Sequence, residues 1–382
     1  MSFVIMHKTI GAIAHMPSSY FFAIILSIIL ILFFLKLPRI DLSVAVFVLY
    51  VGFSLLILNP PSLFRPWSRY ILFLSVISMA SPLFQSWHLR SFRISCLRWV
   101  LTLCVIVSII SFVFYFLGIN FMRYTANLEY SEKGGLFGGF TNHSIVLGII
   151  SGISICLLIY KVLTSSWKWL VLAVPCIGSL LFSASRGALA ATIIGVLVII
   201  VMTRKLKMAK TNIWFLIPIA IISMWYVANY TDVMSGLQSK LYHRDSSSIF
   251  SSREDKITYR IEEFISSPLI GIGFSTISLE GGDEVNRING TIEPGSSWLA
   301  LLSMTGILGA LLFLLIFYKC YRVQMSNKSQ LSILLLGLLS FFAISMLSEG
   351  YIFAAGSPLC FILWLVIGNS IDSNYRSYNK IY

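Results

Sequence analysis

Apolar stretches of similar length recur along the chain, near 18–35, 41–58, 70–85, 97–118, 143–163, 167–184, 187–203, 212–228, 297–318, 331–348 and 352–369. A hydrocarbon core about 30 Å thick needs roughly 20 apolar residues of helix to cross it. Inside lipid every backbone polar group must find its partner within its own helix or a closed barrel. The pattern therefore predicts an all-α polytopic membrane protein with about 11 transmembrane helices, or 12 if residues 3–16 add another.

Composition narrows this reading. Of the 382 residues 57% are hydrophobic and only 11% charged, against roughly 25% charged in soluble domains, which excludes a water-soluble enzyme. The formal charge of +13 would point to nucleic acid in a soluble domain. Here the basic residues fill short loops between apolar runs, as membrane orientation requires, so no nucleic-acid partner is expected. Arg204, Lys205, Lys207 and Lys210 form the strongest basic loop and place it in the cytoplasm. The loops with Lys36 and Arg39, Arg90 and Arg93, Lys161 and Lys168, and Lys319, Arg322 and Lys328 then share that side, while Arg65, Arg69, Arg123, Lys133 and Arg186 lie opposite. Six cysteines without CxxC or CxxH spacing read as small core residues rather than a disulfide framework or zinc site. Residues 1–16 lack the pattern of a cleavable signal peptide.

One segment departs from the rhythm. Residues 230–294 hold ten of the chain's fifteen acids against six basic residues, and fall outside the cytoplasm. Long connections without regular structure are usually functional, so this loop is the candidate cover of an active site. It divides the chain into spans one to eight (1–229), the long periplasmic loop (230–294) and spans nine to eleven with a cytoplasmic tail (295–382). Within it, Ser251 and Glu254 have capping-box spacing, and Ile257, Ile261 and Phe264 recur with helical period before Ser266-Ser267-Pro268. An amphipathic helix of about thirteen residues is expected. Arg253, Lys256 and Arg260 give it a basic face, either a solvated face paired to neighbouring acids or a binding surface.

Several residues carry candidate chemistry. Ser183-Ala184-Ser185-Arg186-Gly187 puts an arginine at the outer start of a span. There the unpaired N–H groups of a helix N-terminus favour anions, and a guanidinium binds phosphate oxygens two at a time; the alternative is an arginine snorkelling to lipid headgroups. Gly187, Ala191 and Gly195 allow close approach of another helix. The glycine-rich turn 134–144 offers Asn142 and His143 to a sugar or phosphate. Glu349 lies between the last two spans and Glu293 near the loop's end. A boundary carboxylate of this kind suits a general base, or pairs with an arginine. Trp298, Tyr259 and Tyr351 suit either sugar stacking or an interfacial aromatic belt.

Ser185-Arg186-Gly187, then Arg253 about fifteen residues before Pro268-Leu269-Ile270-Gly271-Ile272-Gly273, in and beside a long outer loop preceding the ninth span, resemble the family of O-antigen polymerases (Wzy type) and O-antigen ligases (WaaL type). The 137–144 turn also looks like a motif of this family. The likeness is strongest over about residues 134–310. It implies a multi-pass protein of a bacterial inner membrane with its active site facing the periplasm. Such an enzyme transfers glycan from undecaprenyl diphosphate to an acceptor hydroxyl, with no cofactor and no metal. Arg186, Arg253 and Arg260 would hold the diphosphate, Asn142, His143 and Trp298 the glycan, and Glu293 or Glu349 would activate the acceptor. A chain-length regulator is a further implied partner, beside membrane lipids.

One departure separates the two activities. Ligases of this family carry a histidine ahead of a Gly-x-x-Gly; here Gly306-Ile307-Leu308-Gly309 is present but the histidine's position is Gly295. The expectation is therefore a polymerase, with a ligase and a flippase of lipid-linked glycans as alternatives. No internal repeat and no mid-span charge of a coupling pathway support the flippase.

Overall fold

A computed structural model describes residues 39–122, 137–206, 254–278, 292, 295–327 and 329–372. In chain order it contains β1 (Arg39–Ile40), α1 (Leu42–Leu58), α2 (Pro66–Ala80), β2 (Phe84–Gln85), α3 (Trp87–Phe116), α4 (Ser144–Thr164), α5 (Leu170–Phe182), α6 (Arg186–Lys205), α7 (Glu254–Ser266), α8 (Ser297–Ser326), α9 (Gln330–Ser348) and α10 (Pro358–Asp372). Five of these, α3, α4, α6, α8 and α9, are long and apolar enough to cross a membrane, and α1 and α10 are shorter apolar helices. The chain is a multi-pass helical membrane protein. The expected spans at 18–35 and 212–228, the Ser251 cap and most of the 230–294 loop lie outside the described residues.

Two compact units organise the chain. The first comprises, among described residues, 96–122, 137–206 and 329–345. Its helices meet through small residues. A Cβ on Gly195 of α6 would lie 3.1 Å from the carbonyl of Gly337 in α9, and one on Gly337 would lie 3.1 Å from the carbonyl of Gly195. That backbone-to-backbone approach is what the Gly187, Ala191, Gly195 spacing anticipates. Serine hydroxyls supply further ties between helices: Ser151 donates to Ser108, and Ser179 donates to the Ser108 carbonyl.

The second unit comprises 39–95, 254–278, 292, 295–327 and 346–372. At one end β1 and β2 pair antiparallel, and Lys319 binds Asp41 at 2.6 Å. At the same end Arg93, fully buried, donates through Nε to Asp372 at 2.7 Å and through Nη1 to the carbonyls of Ser81 and Phe84. Arg39, Arg93 and Lys319 at this end belong to the loops that the sequence reading groups on one side by their charge. Arg93 also explains why α3 starts at Trp87, ten residues before its expected apolar run: the charges at Arg90 and Arg93 hid the first turns from a hydropathy reading. The expected 70–85 span is likewise displaced to 66–80, because Pro66 begins the helix at its first position, and α10 starts at Pro358 rather than 352.

The opposite end is built around a break. At Gly306 the backbone leaves helical geometry (φ 63°, ψ −172°) and splits α8 into limbs 297–305 and 307–326. Residues fifteen apart on a straight helix stand about 22 Å apart, yet the rings of Trp298 and Phe313 are 5.8 Å apart, so the short limb folds back on the long one. Residues 268–273 fill the gap. Ile272 and Gly273 donate to the carbonyls of Ser303 and Met304, and Ile307 and Leu308 donate to those of Pro268 and Leu269. The inserted loop thus satisfies the donors and acceptors that an unbroken helix would have paired with each other. Both glycine motifs are needed at this crossing. A Cβ on Gly306 would stand 2.3 Å from the Leu269 carbonyl carbon, and one on Gly271 would stand 2.5 Å from that of Met304.

The candidate anion and glycan site

Arg186 opens α6, behind a Ser183–Ser185 turn in which Ala184 takes a left-handed φ of 49°. Ser183 Oγ accepts from the N–H of Ser185 and donates to the Leu180 carbonyl. The N-cap Ser185 makes no side-chain capping bond, no acid occupies the first turn, and Arg186 is exposed. An uncapped helix start with a cation and no carboxylate in its first turn favours an anion. The turn is held against α4, for a Cβ on Gly148 would lie 2.8 Å from Ser185 Cβ and 2.9 Å from Ser183 Oγ. At that end of the same unit His143 caps α4, its Nδ1 accepting from the N–H of Ile145 at 3.2 Å. The turn before it is fixed by Thr141, whose hydroxyl donates to the carbonyls of Gly138 and His143, and by Ser111, which accepts from the N–H of Phe140. Asn142, half-buried, and His143, exposed, are thereby presented together.

In the second unit α7 packs against α8 and has the expected length, Glu254–Ser266. Arg260 is buried, 3% exposed. Its Nη1 donates to Glu263 at 2.7 Å, to Ser303 Oγ at 3.1 Å and to the Thr276 carbonyl at 3.4 Å. Burial lowers its pKa from the ordinary arginine value, and Glu263 opposes that shift. Its Nη2 is buried without a hydrogen-bond partner. Glu263 in turn accepts from the N–H of Ser278 at 2.7 Å through its other oxygen. The basic face read from the sequence is therefore divided, since this arginine is paired to an acid one turn on while Lys256 is half-buried.

Glu349 is brought to the start of α8 by its backbone. Ser297 donates to the Glu349 carbonyl through both its N–H, at 3.0 Å, and its hydroxyl, at 2.6 Å, and that hydroxyl accepts from the N–H of Tyr351. Ser296 donates to the Met346 carbonyl. Next to this tie is Gly295, left-handed at φ 68°, whose Cβ would stand 3.4 Å from Lys256 Cβ. Trp298 is half-buried, its ring tilted against Phe313 and Phe317. Glu349, Trp298 and Arg260 thus share one unit, and Arg186, Asn142 and His143 the other. Arg253 and Glu293 lie outside the described residues. Among the described residues no three of His, Cys, Asp and Glu gather as metal ligands would.

The features on view define a multi-pass membrane protein with arginines and carboxylates collected at the loop-rich ends of its helices. Residues 170–314 match the family model described as O-Antigen ligase, Wzy_C, in accord with the O-antigen polymerase/ligase resemblance of its motifs. The match spans less than half of the chain. It covers Arg186, Arg253, Arg260, Glu293 and Trp298, and leaves Asn142, His143 and Glu349 outside. No curated protein matches the chain.

Proposed function

We propose that the chain is an O-antigen polymerase of a bacterial inner membrane. It transfers a growing glycan from undecaprenyl diphosphate to the non-reducing end of the next lipid-linked repeat unit at the periplasmic face. The acceptor hydroxyl attacks the anomeric carbon of the donor glycan, the bond from that carbon to the diphosphate oxygen breaks, and the carrier diphosphate leaves. Arg186, Arg253 and Arg260 hold the diphosphate and stabilise its growing charge. Asn142, His143 and Trp298 contact glycan, and Glu293 or Glu349 takes the hydroxyl proton.

The observation that carries the choice of polymerase is Gly295. Its left-handed backbone, φ 68°, suits glycine at the place where the ligase pattern has histidine. A histidine there would strain the backbone by about 1–2 kcal/mol. Glu349 supports the base assignment, because the Ser297 bonds fix its backbone two residues from that same position.

Deleting the gene separates the readings. A polymerase defect leaves lipid A-core capped with a single repeat unit, a ligase defect leaves core with none, and a flippase defect leaves repeat units on the cytoplasmic side. Single-unit capping is the expected result, and bare core would overturn the proposal in favour of the ligase. For the base, loss of a general catalyst slows proton transfer by about 10²–10⁴-fold. Either Glu293→Gln or Glu349→Gln is expected to reduce polymer to that extent at normal protein level; full activity in both variants removes the carboxylates from the mechanism.

A further inference from the structure

The described residues of the first unit contain no Asp or Glu, so no carboxylate among them offsets its cations. Four of these cations gather at the end of the helices opposite Arg186, and the packing of α4 on α6 brings them together. A Cβ on Gly148 would lie 3.1 Å from Ala188 Cβ, one on Gly152 would meet the Thr192 hydroxyl, and one on Gly195 would lie 2.9 Å from Cys156 Sγ. The two helices therefore run parallel in close contact, with Gly148, Gly152 and Cys156 level with Ala188, Thr192 and Gly195. Carried to the ends of both helices, that pairing sets Arg204 and Lys205, in the last turn of α6, level with Thr164 and Ser165.

Directly beyond, Ser166 caps a 3₁₀ turn, Trp167–Trp169, which folds back so that Lys161 Nζ stands 4.0 Å from the centre of the Trp169 ring. That contact holds the Lys161 side chain at this end without cancelling its charge. Lys168, Arg204 and Lys205 are exposed, as is Trp167. Helix dipoles offset little of this. Two C-termini and one N-terminus meet here at about half a charge each, which removes only about half of one positive charge.

The ground beside the cations is apolar. Val171 and Leu172 follow the turn, Leu197 and Val201 precede Arg204 on α6, and all four are exposed. Cations set above exposed apolar side chains match an anionic phospholipid, with phosphates at the helix ends and acyl chains beside the helices; an acidic protein would engage the cations alone. They form two pairs on adjacent helices, whose axes stand about 8–10 Å apart. A lipid with two phosphates on one bridging glycerol reaches both pairs, whereas a lipid with a single phosphate reaches one.

We propose that this end of the first unit binds diphosphatidylglycerol (cardiolipin), one phosphate on Lys161 and Lys168 and the other on Arg204 and Lys205, with acyl chains on the exposed apolar residues beside them. The inference goes beyond the polymerase reading and is independent of it, needing only a chain that crosses a membrane. The bound lipid ties the ends of α4 and α6 to the turn before α5 and so stabilises the folded unit.

The test follows thermal unfolding of full-length protein in detergent during titration with cardiolipin, or with phosphatidylglycerol at equal phosphate. A ligand that binds only the folded state raises the Tm as its concentration rises. Cardiolipin is expected to act at phosphate concentrations about 10-fold or more lower than phosphatidylglycerol, because its second phosphate binds intramolecularly. Arg204→Gln with Lys205→Gln is expected to weaken cardiolipin about 10- to 30-fold, and Lys168→Gln alone about 5-fold. Arg186→Gln, at the far end of α6, is expected to leave cardiolipin affinity unchanged. Should the double variant fail to accumulate, Lys168→Gln decides the same question at an exposed position. Equal potency of the two lipids, or cardiolipin affinity unchanged by the substitutions at 168, 204 and 205, overturns the site. So does a protein partner that those substitutions release while cardiolipin affinity stays at the wild-type value.

Discussion

Replacing Arg186 by alanine is expected to abolish the lipopolysaccharide ladder above a single repeat unit while the protein accumulates normally, and Arg253→Ala to do the same. The guanidinium of Arg186 is exposed on the first turn of α6 and its neighbours are small, so its removal opens no cavity in the core. On the proposed polymerase reading, what is lost is charge placed where the leaving diphosphate gains it. Removing one such preorganised donor typically slows an enzyme by about 10²–10³-fold. Polymerisation repeats the transfer many times, so a per-step loss of that size leaves little long polymer. Arg186→Lys keeps the charge but not the two-pronged geometry, and is expected to shorten the ladder rather than remove it. An intact ladder in Arg186→Ala would show that this side chain holds no phosphate.

The second large effect is structural. Gly306→Ala and Gly271→Ala are each expected to remove the protein from the membrane fraction. Each places a methyl group about 2.3–2.5 Å from a backbone carbonyl carbon of the partner strand of chain, at a φ that disfavours any side chain. The overlapping atoms are backbone, held by four hydrogen bonds across the break, each worth about 0.5–1.5 kcal/mol. Losing them together with the strain consumes much of a domain's stability of about 5–15 kcal/mol. Gly118→Ala is the control: it too has a positive φ, 68°, but open space around it, so it costs the backbone strain alone. Immunoblots of membranes compare the three, and equal levels of Gly306→Ala and wild type would contradict the threading of residues 268–273 through α8.

Much of this architecture was legible from hydropathy and period, and its exceptions have physical causes. The α7 boundaries follow from the Ile257, Ile261 and Phe264 period and the Ser-Ser-Pro stop. The fold-back of α8 does not, because a hydropathy window averages across Gly306. Only a contact with Gly271, 35 positions earlier, gives that glycine its role. Arg93 read as a loop charge, since its partner Asp372 is remote in sequence. Arg69 read only as a charge that orients the chain for the same reason: Ser275, to whose hydroxyl it donates, belongs to a different segment. Arg260 was legible as part of a basic face, but its pairing with Glu263 inside the helix depended on which neighbours α8 presents, and Ser303 carries no signal in sequence. Glu349 was singled out by its place at a helix boundary, and the Ser297 bonds that fix it were not foreseeable.

In the proposed reaction, arginine-held polyprenyl diphosphate is the donor of a polymerising transfer. Purified protein in lipid vesicles, supplied only with a synthetic repeat unit on undecaprenyl diphosphate, tests it most directly by mass spectrometry of the products. Wild type should give lipid-linked oligomers of two or more repeats with free undecaprenyl diphosphate released in step, and Arg186→Ala and Arg253→Ala should give none. Oligomers at the wild-type rate from both variants, or no oligomer from wild type until lipid A-core is added as acceptor, would contradict it.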